Sequence, residues 1–163
     1  MKGAKADEDG EEWVTLDDVL RAIPRYKARF IVLKITVFNL GWLTSSANVF
    51  LVMNSIFHSQ LPDNFEGHKI PYIVVLLFLS LAEVVGFFHG LLLVYGSDTS
   101  NPKFIRDSMI LAMITTVSNW MALFTILLSY LPIEMANQPL IMTAFTFAGL
   151  FVSNSYYFVL NEF

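Results

Sequence analysis

Glu83 and His89 are a carboxylic acid and an imidazole set inside one long apolar run, Tyr72 to Tyr95. A carboxyl and an imidazole on one helix are parts of a proton relay. A carboxyl held by amides or hydroxyls is instead a device for fixing helix register. An ionised carboxylate near the centre of a bilayer is costly, so Glu83 is expected to face a bundle interior, either protonated or paired. Its candidate partners are His89, Asn48 or Asn39 earlier in the chain, and Asn119 later. Register fixing is the expected role, because a relay needs a series of titratable groups and the apolar stretches offer only these two. The pair is expected to share a helix face with Ala82, Gly86 and Gly90, which suit close helix approach.

The element that must position this pair is a membrane span. A run of about 24 residues at about 1.5 Å each crosses a hydrocarbon core. Three similar stretches accompany it, giving predicted spans at about 35–57, 72–95, 109–131 and 139–160. Each carries a stripe of small or polar residues. The first has Gly41, Ser45 and Asn48; the third has Ala112, Thr115, Thr116, Asn119 and Ala122; the fourth has Thr146, Gly149 and Ser153. Such stripes let helices approach closely and hydrogen-bond across an interface. Short connections make sequential helices antiparallel. The predicted fold is an all-α membrane protein, an antiparallel four-helix transmembrane bundle.

The N-terminal part is different. Residues 1–12 read as a disordered acidic tail. Residues 13–29 read as an interfacial amphipathic helix, or a short cap packed against the bundle ends, followed by a basic collar. Thr15 and Asp18 resemble a capping box, Leu16, Val19, Leu20 and Ile23 repeat at helical spacing, and Pro24 is expected to end or kink the helix. Trp13, Arg25, Lys27 and Arg29 would then meet the membrane surface, and Lys34 would snorkel back to it. The basic residues sit before the first span and, as Lys103 and Arg106, between the second and third. The other two loops hold only Lys69. This asymmetry predicts that both termini are cytoplasmic.

The 163 residues are 55% hydrophobic and 15% charged, well below the charge of a soluble domain, and contain no cysteine. Disulfides and thiol chemistry are therefore excluded. The net charge of −4 belongs largely to the N-terminal tail and argues for no nucleic-acid partner. In the first loop, His58, Asp63, Glu66 and His68 match no metal-ligand spacing. No nucleophile–base pair or phosphate loop is present. Neither catalysis nor a cofactor is expected. The expected partners are the lipid bilayer and other membrane proteins or further copies of the chain, met through small-residue faces.

Three short motifs carry a resemblance. They are Leu92-Leu93-Val94-Tyr95-Gly96, Asn101-Pro102-Lys103-Phe104-Ile105, and Asn154-Ser155-Tyr156-Tyr157-Phe158-Val159. With four short-looped spans, the chain resembles small arthropod four-span proteins. These are similar to the lysosome-associated four-span transmembrane family and, more loosely, to MARVEL-type proteins. The resemblance implies a non-enzymatic protein of endolysosomal or plasma membranes that organises or traffics other membrane components. Two other readings of the residues stand beside it. One is a proton-linked carrier or channel using Glu83 and His89. The other is an accessory subunit of a larger membrane complex.

Overall fold

The computed structural model describes residues 16–57 and 69–161. The acidic tail, Trp13 and the loop with His58, Asp63, Glu66 and His68 lie outside the described residues, as does the side chain of Arg25. The described chain is helical, without strands. It comprises α1 (Leu16–Phe57), α2 (Lys69–Asp98), α3 (Pro102–Leu128), a 3-10 turn (Ile133–Ala136) and α4 (Asn137–Asn161). All four α-helices contain segments long and apolar enough to cross a membrane.

The helices run antiparallel in sequence order. Gly41 of α1 lies against Gly90 of α2, and Asn48 lies against Gly86. Farther along, Gly96 at the end of α2 meets Ile105 near the start of α3. Phe30 stacks on Tyr156, which closes α1 on α4. α2 packs most extensively, on α1 and on α3, while α4 is held more lightly. Large apolar side chains cover the outside, with Phe50, Leu128 and Phe151 each at least 70% exposed. In a water-soluble protein that surface would aggregate; in hydrocarbon it is the favoured one.

Two apolar clusters form the core, one toward each end. At one end Val75, Leu79, Ala122, Leu123, Ile126, Leu131 and Ala136 pack together. At the other, Val37, Leu93, Ile105 and Tyr156 pack with Phe30, Leu33 and Leu40 around them. The second end is also the basic one. Lys27, Arg29, Lys34, Lys103 and Arg106 lie there with Asp98 and Asp107, whereas the opposite end has Lys69 and Glu134 among the described side chains.

The sharp ends of α2 and α3 have the same cause. The amide of Asn101 donates to the carbonyl of Gly96 at 3.0 Å, and the amide of Ser100 to that of Ser97 at 3.3 Å. Ser100, between them, has φ 52°. This is a Schellman ending with serine in the left-handed position usually held by glycine. α3 ends similarly: the Leu131 amide donates to Ile126 at 3.1 Å, and Tyr130 has φ 53°. Leu131 and Ile126 also pack in one cluster, the apolar contact that accompanies this ending.

Several predicted boundaries are corrected. α3 begins at Pro102, ahead of the span expected from about Met109, because the Asn101 side chain accepts from the Lys103 amide and Pro102 opens the first turn. Lys103, Arg106 and Asp107 thus lie in the opening turns of this helix. α1 does not end at Pro24 but continues through it. A proline removes one helical hydrogen bond, which a helix with many others survives. Residues 16–29 are continuous with the first span in one helix of 42 residues. At about 1.5 Å per residue it is about 63 Å long, twice a hydrocarbon core of about 30 Å. The turn expected at 132–138 is partly helical, and Asn137 and Gln138 already belong to α4.

Candidate functional site: a buried polar layer

Between the two apolar clusters lies a layer of buried polar side chains: Ser45 and Asn48 from α1, Glu83 and His89 from α2, Thr115, Thr116 and Asn119 from α3, Thr146 and Ser153 from α4. One turn beyond Leu79 on α2 is Glu83, and one turn before Leu123 on α3 is Asn119. Antiparallel packing therefore sets both beside the same end of the first cluster.

Glu83 is 3% exposed and accepts a hydrogen bond from Gln138 Nε2 at 2.9 Å. Gln138 is the second residue of α4, so this bond crosses the bundle from α2 to α4. His89, 2% exposed, sits against the carbonyl of Ser108 at 2.9 Å through Nδ1. A carbonyl only accepts, so Nδ1 carries the proton and Nε2 is left as an acceptor in the neutral ring. Glu83 and His89 thus take partners on different helices. Six residues along a helix rotate a side chain by about 120° from its starting face and raise it about 9 Å.

The α1–α2 seam is the tightest contact. A methyl group added to Gly41 would lie 2.7 Å from the Gly90 carbonyl, and one added to Gly90 would lie 2.6 Å from the Gly41 carbonyl. Ser45 Oγ donates across the seam to the carbonyl of Phe87 at 3.2 Å. Asn48 donates from Nδ2 to its own helix at Thr44, 2.8 Å away, while its Oδ1 is buried without a partner. Gly86 leaves the room that Asn48 occupies: an added methyl group would sit 2.7 Å from Asn48 Oδ1. Ala82 is buried on the same helix. Gly149 is less crowded, with Leu40 at 3.4 Å from an added methyl.

Most hydroxyls in the layer turn to their own helices. Thr115 donates to Leu111, Thr116 to Ala112 and Thr146 to Met142, each one turn back. This satisfies them in an apolar medium and leaves fewer groups to bond across the bundle. Asn119 Nδ2 and Ser153 Oγ are buried without partners.

Among the candidate partners of Glu83, Asn39 is exposed on the outer face of α1. Gln138 was missed because the Pro132–Gln138 stretch reads as a turn. Its one signal was an amide side chain immediately before Pro139, in the opening turn of a helix. A second group was also missed. Lys34 Nζ donates to the Asp98 carbonyl at 3.0 Å and to Ser100 Oγ at 3.1 Å. The Tyr156 hydroxyl donates to the Ser97 carbonyl at 3.4 Å. Instead of only reaching for headgroups, Lys34 places a positive charge at the C-terminal end of α2, which its dipole favours. Of the surface residues, Lys27 and Arg29 are exposed.

Among the described residues, the sides of the bundle carry grooves, three of which are well formed. One, between α3 and α4, has a volume of about 540 Å³. A second lies between α2 and α3 along Phe78, Ile114 and Met121, and a third between α1 and α2 along Val49, Met53 and Val84. No cluster of three metal-ligating side chains occurs among the described residues. Compared with protein-family models, curated proteins and solved structures, the chain gives no match.

Proposed function

We propose that this chain is a non-enzymatic multi-pass membrane protein that organises or traffics other membrane components, with both termini cytoplasmic, in endolysosomal or plasma membrane. The observation that carries this reading is the direction in which its grooves open. The three described above lie on lateral, largely apolar faces between neighbouring helices, where lipids and other spans would pass. Three of the interior polar contacts hold neighbouring helices together: Gln138 on Glu83, Ser108 on His89, Ser45 on Phe87. The resemblance to lysosome-associated four-span proteins supports the same reading. The basic end of the bundle supports a cytoplasmic placement of the termini. Residues 16–28 extend α1 beyond the length a bilayer needs, which suits contact with the membrane surface.

A second reading, a proton-linked carrier, has its own support. A buried carboxyl lies in a layer with an unpartnered acceptor at Asn48 and an unpartnered donor at Asn119. The third, an accessory subunit, rests on the small size and would be met by one stoichiometric partner. A mild-detergent pull-down with mass spectrometry tests the first: a reproducible set of membrane proteins is expected. A pH-gradient flux assay in proteoliposomes tests the second. Uptake that vanishes in Glu83→Gln, with unchanged thermal stability, would replace the organiser with the carrier.

A further inference from the structure

We propose that the α3–α4 groove holds one anionic glycerophospholipid from the leaflet on the basic end of the bundle. The groove has a polar mouth and an apolar body. Arg106 and Asn154 form the mouth, and Met109, Ile110, Phe147 and Phe151 line the body. From Phe147 to Asn154 the floor runs about 10 Å along α4, two helical turns, long enough to seat part of an acyl chain. Phe151 is 76% exposed, so the groove opens outward rather than into the bundle.

The charge at the mouth selects the headgroup. Arg106 lies four residues past the start of α3, at the depth where basic side chains meet phosphates. Its guanidinium has five N–H donors. Two of its nitrogens, Nε and Nη2, contact one oxygen of Asp107, at 3.4 and 3.3 Å. Those are long contacts on a side chain that is 56% exposed, and Nη1 lies outside them. A planar guanidinium binds a phosphate through paired N–H donors, and the Asn154 amide stands beside it to donate another. Arg106 is the charged side chain that lines the groove, and its neighbour Asp107 is not part of the lining, which favours an anionic lipid over a zwitterionic one. This inference goes beyond the organiser reading and stands independently of it.

The test is native mass spectrometry of the full chain, purified in detergent and supplied with dioleoyl phosphatidylglycerol or dioleoyl phosphatidylcholine. Wild-type protein should retain the anionic lipid about fivefold better, the attraction of about one basic side chain. Arg106→Gln should bring the ratio close to one. Lys103→Gln, which removes a charge outside the groove, should leave most of the preference. Ile110→Trp should fill the body and lower retention of both lipids. Equal retention of the two lipids by wild type would overturn the proposal. So would a preference that survives Arg106→Gln, or one lost equally in Lys103→Gln, which would mean diffuse surface charge. If Arg106→Gln melts far below wild type, Ile110→Trp decides: unchanged lipid retention in that variant overturns the site.

Discussion

At the scale of single residues, Glu83 and Gly90 pull the molecule in different ways. Glu83 accepts a hydrogen bond from the Gln138 amide, which bonds equally well to a carboxamide oxygen. Interhelical hydrogen bonds in membranes average about 0.6 kcal/mol. Glu83→Gln should therefore be nearly silent in thermal stability, and Glu83→Leu should cost about 1 kcal/mol by leaving Gln138 poorly paired. Gly90 has no such latitude. Its added side chain would meet the Gly41 carbonyl at 2.6 Å and the Ser45 amide at 2.7 Å, both backbone atoms that move only with the helix. Gly90→Leu should cost about 3 kcal/mol or more, as overpacking that parts two helices does. Gly149→Ala, with Leu40 as its nearest neighbour, should be nearly neutral. Melting curves of the four purified variants check the order. A Gly90→Leu protein as stable as Gly149→Ala would show that the α1–α2 seam is not held by close approach.

At the scale of elements, the two hairpin corners are decided by a few backbone hydrogen bonds. Tyr130 sits in the left-handed region and is 91% exposed, so its ring contributes no packing inside the chain. A non-glycine residue there pays about 1–2 kcal/mol in sterics, partly offset by the greater unfolded freedom of glycine. Tyr130→Gly should raise stability in detergent by about 1 kcal/mol. Asn101→Ala should lower it by about 1 kcal/mol and loosen the first turn of α3, because the Lys103 amide loses its cap. Amide hydrogen exchange at Lys103 reads the second effect directly. Unaltered protection there would mean that Pro102 alone starts the helix.

At the scale of the whole molecule, charge is placed unevenly, and the proposed topology rests on it. Five basic side chains at one end face only two acids, against one base and one acid at the other, among the described side chains. The chain has no cysteine, so single cysteines introduced at exposed positions report topology on a clean background. Glu134→Cys should react with a membrane-impermeant maleimide added to intact vesicles or cells from the luminal or outer side. Thr99→Cys should react only after permeabilisation. The reverse pattern would invert the topology and set the Arg106 groove in the other leaflet.

Four apolar stretches, their small-residue stripes and the basic bias were legible in the chain because each depends on local composition. Hydrocarbon solvates no bare backbone amide, so a long apolar run has helix as its solution, and the run's length sets the span. The stripes on Gly41, Ser45 and Asn48 and on Gly86 and Gly90 needed no fold to be read as surfaces for close approach. Partner choice was not legible, because it depends on the rotation and depth of each helix. The sequence left Glu83 with several polar candidates, and Gln138 was not among them. Only the three-dimensional packing starts α4 early enough, and turns it far enough, for Gln138 to reach across to α2. The same holds for Lys34, whose chemistry suits headgroups but whose ammonium is captured by the end of α2. Helix existence follows from burying peptide groups one by one; which side chains meet follows from how whole helices fit together.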